Sequence, residues 1–452
     1  MPRSRLLRRR RTPPSLYDAA RTVLRQNWTG HSTVPAPGLY PHQWSWDTAF
    51  VVIGRRHLSP QRAQQELERL FAAQWGDGRV PHIVFQKSVP LGEYFPSRDF
   101  WRSPDAGAQA GAPRHVETSG IVQPPVHAMA AWLVHRAHED VSERRGFLSR
   151  LYPQLTAWHA YLYDRRDLGR HGLISIVHPW ESGMDNSPCW DEPLSRVPAA
   201  AHAAYHRADL KHSAPAERPA DRDYARYIRL AAHYRDRGYL DEDEHEYGPH
   251  VFAVEDPGFN ALLIASEDAL AHIAETLGAD PAPHRQRAER LRRALVAQLW
   301  SDGAGMFLCR DVRTDAHEQV RGVQGLVPLA APGLPRHITD ALGDTVTGPH
   351  FGLDDSTRLV PSYDLAADDF DPRLYWRGPA WFNINWLLER GLRQHGHTET
   401  ADRLRTRIID TAYETHFTEY VDPRTGDPHG TRGFSWTAAL ALDLHQTEQR
   451  PG

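Results

Sequence analysis

The sequence predicts an all-α fold in which paired helices are joined by long loops. Two observations predict it: apolar residues recur at helical spacing in several segments, and strand-like runs are few. The clearest strand-like run is 173–177, and 345–360 fits neither period. The long loops span 38–48, 76–125, 178–225, 345–377 and 417–433. Helical scaffolds commonly carry their functional residues on such loops.

The helical segments can be followed in chain order. Ser59 and Pro60 are residue types that begin helices, and Gly76-Asp77-Gly78 is expected to end this first segment. Gly278 ends the third. The apolar stripes are Ala63, Leu67, Leu70 and Phe71; Phe147, Leu151, Leu155, Trp158 and Leu162; Leu263, Leu270, Ile273 and Leu277; and Leu291, Leu295 and Leu299. Segments 381–392 and 434–444 are expected to be helical and largely buried.

No Pro/Gly/Ser-rich linker divides the 452 residues. We therefore predict one domain over 15–452, in which 200–250 forms a lid or an insertion. Residues 1–14 contain six arginines and are expected to form a disordered basic tail.

Charge and cysteine content exclude several classes of protein. The net charge of −4 argues against nucleic-acid or membrane binding. No apolar run approaches the ~18 residues of a membrane span. The two cysteines, Cys189 and Cys309, do not make a disulfide framework, so a reducing, cytoplasmic location is predicted. Assembly into a homo-oligomer stays open.

Five loop segments combine aromatic rings with carboxylates, amides or guanidinium groups. They are 40–47 (Tyr-Pro-His-Gln-Trp-Ser-Trp-Asp), 120–125 (Gly-Ile-Val-Gln-Pro-Pro), 178–188 (His-Pro-Trp-Glu-Ser-Gly-Met-Asp-Asn-Ser-Pro), 375–381 (Tyr-Trp-Arg-Gly-Pro-Ala-Trp) and 417–426 with 434–437. A sugar needs this mixture, because its C–H faces stack on aromatic rings while its hydroxyls need fixed donors and acceptors. The segments therefore predict a small-molecule carbohydrate site.

Two carboxyl groups in these segments suit glycoside hydrolysis, which needs one on each side of the bond. The acid must stay protonated near neutral pH, which burial favours. Asp185 is a candidate because Trp180 could make its surroundings apolar, and Glu419 stands between Phe417 and Tyr420. The alternatives are that Asp185 caps a helix or braces its loop, and that Glu419 is a surface residue beside a turn.

Together these motifs resemble glycoside hydrolase family 63. The resemblance rests on Trp-Glu-Ser-Gly-Met-Asp-Asn-Ser-Pro, Trp-Ser-Trp-Asp, Gln-Pro-Pro, Tyr-Trp-Arg-Gly-Pro and Glu-Tyr-x-Asp-Pro-x-Thr-Gly with Ser-Trp-Thr-Ala, which occur in family order between about Tyr17 and Leu444. They are most similar to the bacterial mannosylglycerate and glucosylglycerate hydrolases. The resemblance implies an (α/α)6 barrel and inverting hydrolysis of an α-glycosidic bond, with Asp185 as general acid and Glu419 as general base.

The resemblance also implies substrate contacts. In the glycerate-specific branch, residues matching Arg218 and Tyr224 bind the substrate's carboxylate, and one matching Tyr94 closes the site. The branch tends to carry Gln where this chain has Phe434, a departure that bears on the sugar and the aglycone. The remaining positions that match substrate contacts are Tyr40, Trp44, Trp46, Asp47, Gln123, Trp180, Gly183, Tyr375, Trp376, Trp381 and Trp436.

Alternatives remain for several of these residues. Arg218 and Tyr224 lie in a charged segment that could be a solvated face. Glu181 could tune Asp185 or hydrogen-bond within its loop. The 27 histidines show no zinc-binding spacing. His42, His82 and His178 are read as hydrogen-bonding loop residues, and neither metal nor cofactor is predicted.

The function predicted is an exo-acting α-glycosidase for glucosylglycerate or mannosylglycerate. Three alternatives stay open at this point. They are an α-glucosidase for disaccharides such as trehalose or kojibiose, a sugar epimerase or isomerase on a similar barrel, and a non-catalytic sugar-binding protein.

Overall fold

The computed structural model describes residues 14–106, 110–202, 205–211, 214–241, 250–353 and 355–448. The predicted tail 1–14 lies outside them apart from Pro14, and the predicted lid at 200–250 is described only in part. Over these residues the helices are α1 (Leu16–Gln26), α2 (Ser45–Arg55), α3 (Pro60–Phe71), α4 (Arg98–Trp101), α5 (His127–Ala137), α6 (Glu139–Arg144), α7 (Phe147–Arg165), α8 (Asp191–Ser195), α9 (Asp221–Asp236), α10 (Pro257–Thr276), α11 (Ala282–Leu299), α12 (Arg336–Thr347), α13 (Phe382–Gln394), α14 (Thr398–Glu414) and α15 (Ser435–Glu448).

A closed ring of helices surrounds one axis. In order, α2, α5, α10, the 3-10 turn Val327–Ala330, α13 and α15 each pack against the next, and α15 packs back against α2. An outer layer of α1, α3, α7, α11 and α14 covers the ring, and α12 packs beside the strand Met306–Phe307. This is the (α/α)6 barrel, so the predicted fold class is confirmed. One hydrophobic cluster extends from Ala20 to Leu444; the division into a tail and a single domain stays a prediction.

The predicted helices form for the reasons that the sequence suggested, with three differences at their ends. Ser59 caps α3 by accepting a hydrogen bond from the Arg62 amide at 3.4 Å, but this helix ends at Phe71, where the chain turns to bury Trp75. Leu277 is 37% exposed rather than part of the apolar stripe, because α10 ends at Thr276. Trp381 lies in a strand just before α13.

Short strands of two residues each pair along the chain, and three of them lie just before inner helices. The strands are β1 (Gln43–Trp44), β2 (Ile83–Val84), β3 (Ser175–Ile176), β4 (Val254–Glu255), β5 (Trp300–Ser301), β6 (Met306–Phe307), β7 (Arg310–Asp311), β8 (Ala316–His317), β9 (Ala380–Trp381), β10 (Tyr420–Val421) and β11 (Pro428–His429). Of these, β1 lies before α2, β4 before α10 and β9 before α13. The antiparallel sheets have the orders β1-β2, β3-β4-β7-β8, β5-β6 and β11-β10-β9. Because β1 directly precedes α2 and β9 directly precedes α13, side chains from both gather at one end of the barrel.

Candidate active site

A cavity lies at this end of the barrel, where the inner helices begin. All the residues that the sequence predicted for the site line it: Tyr40, Trp44, Trp46, Asp47, Tyr94, Gln123, Trp180, Gly183, Asp185, Arg218, Tyr224, Tyr375, Trp376, Trp381, Glu419 and Trp436. The structure therefore brings together residues from almost the whole length of the chain.

The loop that carries Asp185 is held on both sides. The Tyr227 hydroxyl donates to the backbone oxygen of Asp185 at 2.9 Å. The next side chain, Asn186, accepts from the Trp376 amide at 2.8 Å through its Oδ1 atom. Gly183 has a φ of +72°, and a Cβ there would lie 2.4 Å from the Trp46 ring. These contacts fix Asp185 at the cavity wall while leaving its carboxyl group available.

Glu419 lies on the chain that enters β10. The register of β10 with β9 sets Tyr420 opposite Trp381, which places Glu419 at the cavity. Its Oε1 accepts from the Tyr40 hydroxyl at 2.8 Å, and its Oε2 accepts from the Thr431 amide at 3.1 Å. A Cβ on Gly430 would lie 2.4 Å from the same Oε2, so the carboxylate fills the space that a side chain would need.

The two carboxyl groups have different electrostatic surroundings. Burial raises the pKa of Asp185 to about 7, against a lowering by Arg218. Burial also raises the pKa of Glu419, but Arg218, the Tyr40 hydroxyl and the Thr431 amide all oppose that rise. Burial raises the pKa of Asp47, in the first turn of α2, well above its ordinary value. Asp185 is thus suited to holding a proton at neutral pH, while the charge and the two hydrogen bonds around Glu419 favour its ionised form.

Arg218 connects these groups to the far wall of the cavity. Its Nη1 donates to the Tyr40 oxygen at 2.9 Å, and its guanidinium lies 4.6 Å from the centre of the Tyr375 ring. Tyr224 donates to the backbone oxygen of Phe95 at 3.1 Å. Arg218 and Tyr224 are 4% and 6% exposed, so the alternative of a solvated face is wrong.

Glu181 is bound within its surroundings rather than directed at Asp185. Its carboxylate accepts from Arg166 Nη1 at 2.8 Å and Nη2 at 3.0 Å. It also accepts from the amides of Val177 and Val122, at 2.8 and 3.2 Å. Both Glu181 and Arg166 are fully buried. Glu181 therefore ties its loop to the segment that carries Gln123, which favours the hydrogen-bonding alternative over tuning of Asp185 and extends it beyond the loop.

Stacked aromatic rings form one wall. The Trp376 and Trp381 rings are parallel within 3°, with centroids 4.0 Å apart, and Trp381 stacks on Tyr420 at 4.6 Å. The indole nitrogens of Trp376, Trp436 and Trp44 are buried and have no hydrogen-bond partner among the described residues. Trp376, Trp381 and Trp436 all line the cavity, so this wall consists of aromatic rings, a type of surface on which the apolar faces of a sugar stack.

Comparison with known proteins decides the family. The mannosylglycerate hydrolase MGH1-like glycoside hydrolase domain matches residues 40–437. The chain belongs to this family of glycoside hydrolases. It is 41% identical to a mannosylglycerate hydrolase of Rubrobacter radiotolerans over 95% of this chain and 96% of that one. It is 39% identical to a glucosylglycerate hydrolase of Mycolicibacterium hassiacum over 96% and 98%.

A solved structure agrees with this assignment. The hydrolase superposes with a TM-score of 0.87 on the family 63 mannosylglycerate hydrolase of Thermus thermophilus in complex with Tris and D-glycerate. The two share 39% identity, and the match covers 95% of this chain and 100% of the other. The resemblance to glycoside hydrolase family 63 is confirmed.

Some residues that line the hydrolase cavity were not predicted. They are Pro35, Leu39, Glu93, Phe95, Ala208 and Asp209, together with Phe434, whose identity had been noted as a departure. Asp209 gives little signal in the sequence because 203–224 is rich in charge throughout. Its carboxylate binds Arg207 through both oxygens, at 2.9 and 2.7 Å, a pairing visible only in three dimensions.

The histidines named above lie in loops of the hydrolase. The amide of Trp180 donates to His178 Nδ1 at 3.0 Å, and that of Gln86 donates to His42 Nδ1 at 3.2 Å. His82 pairs with Ser119, which confirms their hydrogen-bonding role. Within the part of the chain that the structure describes, no group of three or more His, Cys, Asp or Glu could hold a metal ion, and no helix is long and apolar enough to cross a membrane.

Proposed function

We propose that this hydrolase cleaves a small α-glycoside of glycerate, either glucosylglycerate or mannosylglycerate, into the free sugar and glycerate. The observation that carries the proposal is the arrangement of Asp185, Glu419 and buried Arg218 around one cavity. Relatives named for both substrates, at 41% and 39% identity, support it. The D-glycerate in the Thermus thermophilus structure supports the acidic half of the substrate.

Asp185 acts as the general acid in this proposal. A pKa of about 7 keeps much of its population protonated at neutral pH, and the loop contacts hold it in place. It gives its proton to the glycosidic oxygen as the bond to the sugar breaks.

Glu419 acts as the general base. It removes a proton from a water molecule that attacks the anomeric carbon from the opposite face, so the configuration inverts. The hydrogen bonds from Tyr40 and Thr431 favour the ionised carboxylate and fix its orientation. An inverting pair needs the two carboxyl groups roughly 6.5–9.5 Å apart, which leaves room for that water.

Arg218 and Tyr224 recognise the glycerate. A guanidinium fork matches the two oxygens of a carboxylate, and burial among aromatic rings strengthens that attraction because the local dielectric is low. Tyr94 lies at the same part of the cavity and closes it. Trp376, Trp381 and Asp47 contact the sugar in this arrangement.

The direct test is to follow hydrolysis of both glycerate glycosides by proton NMR and to identify the first-formed anomer. The β anomer is expected from an α-glycoside. Asp185→Asn and Glu419→Gln should each lower kcat by at least a hundredfold, since each removes a proton-transfer group. Asp427→Asn, an exposed carboxylate near β11, serves as a matched control. Retention of configuration, or turnover within a few-fold of wild type in either variant, would contradict the proposal.

A cytoplasmic location belongs to the same proposal. Cys189 and Cys309 are both buried free thiols, as expected in a reducing compartment. Fractionation of cells that express the tagged full-length chain tests this, and recovery outside the cytoplasm would overturn it.

A further inference from the structure

One position in the inner ring differs from all the others. Between α10 and α13 the ring is completed by the four-residue 3-10 turn Val327–Ala330, whereas the other inner elements are helices of 11 to 20 residues. Pro328 lies within this turn and Pro332 follows it, and proline disfavours continuation into a helix. The half of the barrel away from the active site therefore lacks one helix of its wall.

A second cavity, of about 220 Å³, opens at this gap. Its walls are the segments 129–133 of α5, 265–272 of α10 and 387–394 of α13, with Ala330 and Pro332 beside them. Arg390, in its lining, lies eight residues into α13, which is roughly 12 Å along the helix from the active-site end. The cavity is thus separate from the site of hydrolysis.

Arg390 brings a positive charge to this cavity without an acidic partner. Among the described residues its guanidinium has no hydrogen bond or ion pair, and it lies 4.9 Å from the centre of the Trp386 ring. Asp443 is the acid whose charge affects Arg390 most, but its carboxylate is paired with Arg56 at 2.8 Å and with His57 at 2.9 Å. Glu389, its neighbour in sequence, binds Arg393 and Arg405 instead.

The rest of the lining limits what could bind. Met129, Leu133 and Leu387 supply apolar walls. Asp268 is the acidic residue of the lining, and it lies 3.7 Å from His272 Nε2 on the same helix. Arg390 attracts an anion and Asp268 opposes that attraction, so the lining favours a monoanion over a dianion, which Asp268 repels more strongly.

We propose that this cavity binds a small monocarboxylic acid with an apolar body. Its carboxylate pairs with the Arg390 guanidinium, whose fork matches two carboxylate oxygens. Its apolar body lies against Met129, Leu133 and Leu387, where burial of apolar surface contributes the remaining affinity. A free sugar does not suit these walls, and a dianion meets repulsion from Asp268.

The test is titration of the full-length protein with 4-fluorobenzoate, followed by fluorine NMR. Because Arg218 in the active site is a rival for any carboxylate, wild type is compared with Arg390→Gln and with Arg218→Gln. The site at Arg390 should survive in Arg218→Gln and weaken at least tenfold in Arg390→Gln. Hydrolysis and Tm of Arg390→Gln should stay close to wild type.

A second variant keeps the charge and fills the space. Ala330→Leu narrows the cavity beside Arg390 and should abolish binding of 4-fluorobenzoate. The proposal would be overturned if wild type showed no saturable binding of 4-fluorobenzoate, or if Arg390→Gln or Ala330→Leu bound it as tightly as wild type. It would also be overturned if binding were lost in Arg218→Gln alone. The last outcome would assign the acid to the active site and leave the proposed hydrolysis intact.

Discussion

At the scale of single residues, the Tyr40 hydroxyl has the most consequential position in the site. It donates to Glu419 at 2.8 Å and accepts from Arg218 at 2.9 Å. It also lies 3.1 Å from the Tyr375 hydroxyl. One atom therefore links the proposed base to the proposed carboxylate-binding residue, so changes at either end should affect both binding and catalysis.

Tyr40→Phe tests this link. Removal of the donor should raise the pKa of Glu419, because the Tyr40 hydroxyl now lowers it. The base must be ionised, so the acidic limb of the kcat/KM profile should move to higher pH, and kcat/KM at neutral pH should fall about tenfold or more. The measurement is kcat/KM from pH 4 to 9, with Tyr413→Phe at the surface as the control. An acidic limb in the same place as in wild type would show that Tyr40 does not act on Glu419.

Arg218→Gln should alter binding and the alkaline limb together. Loss of the guanidinium should raise KM for glycerate glycosides at least tenfold, and much less for a glycoside with a neutral aglycone. Arg218 also lowers the pKa of Asp185 from the higher value that burial alone would give. The acid must be protonated, so without Arg218 the alkaline limb of kcat should move to higher pH.

Steady-state kinetics on a charged and a neutral substrate separate the two effects. Arg222→Gln, an exposed residue near the start of α9, is the control. Equal changes in KM for both substrates would contradict a role for Arg218 in carboxylate recognition.

At the scale of elements, the loop that carries Asp185 depends on a buried ion pair for its position. Arg166, just after α7, binds both oxygens of Glu181, and its Nε lies 3.1 Å from Asp241. The side chains of Arg166 and Glu181 are both 0% exposed. Removal of Glu181 takes away the nearer of the two carboxylates that balance the buried Arg166 charge, which costs far more than loss of a surface pair.

Glu181→Gln should therefore lower the free energy of unfolding by about 3–5 kcal/mol. It should also lower kcat more than it raises KM, because the loop that positions Asp185 loosens. Urea unfolding and steady-state kinetics measure these effects. Glu414→Gln is the control, because it breaks a surface ion pair in which Arg358 and Glu414 lie 3.0 Å apart and are 37% and 59% exposed. Its loss should lower the free energy of unfolding by no more than about 1 kcal/mol. Comparable losses in the two variants would refute the bracing role.

Helices could be predicted from the sequence where their apolar stripe extends over several turns. The stripe from Phe147 to Leu162 extends over about four turns of helix, and each of its predicted positions is buried in α7. The two-residue strands could not be predicted, because a period of two needs several residues to appear. Leu277 was misplaced because helix spacing does not reveal which residue ends the helix.

The candidate site could be predicted for a different reason. Its residues follow an order of motifs shared with a family, and no local pattern places Tyr40 beside Glu419. Asp209 and Arg390 fall outside those motifs. The cavity that each of them lines is formed by segments distant in sequence, which the chain order does not show.

At the scale of the whole molecule, buried charges connect the layers of the barrel. Glu267 on α10 lies 3.0 Å from His159 Nδ1 on α7 and 2.7 Å from His284 Nδ1 on α11. Asp443 on α15 binds Arg56 and His57 after α2. Each cluster joins helices that are remote in sequence, so the stability of the whole barrel should depend on the ionisation of these acids.

Both carboxylates should contribute to the response of the barrel to acid. The histidines lower the pKa of Glu267 to about 2 from an ordinary 4.5, and Arg56 and His57 lower that of Asp443 to about 2 from 3.8. A carboxylate with a depressed folded-state pKa stabilises the fold fully above its unfolded pKa. That contribution falls as the pH drops from about 4.5 to 2, as the linkage of proton binding to unfolding requires.

Glu267→Gln should remove part of this dependence. The variant should be less stable than wild type at pH 7 by roughly 3 kcal/mol, since the pKa difference of Glu267 corresponds to that order of free energy. The difference should shrink toward pH 2, where the wild-type carboxylate is itself protonated. Thermal unfolding from pH 2 to 7 measures both Tm curves, with the exposed Glu399→Gln as the control. Parallel curves for wild type and Glu267→Gln would show that this buried acid does not govern acid unfolding. If hydrolysis were nevertheless lost together with the fold below pH 4.5, the unfolding would have to be attributed to other buried charge clusters, first among them that of Asp443.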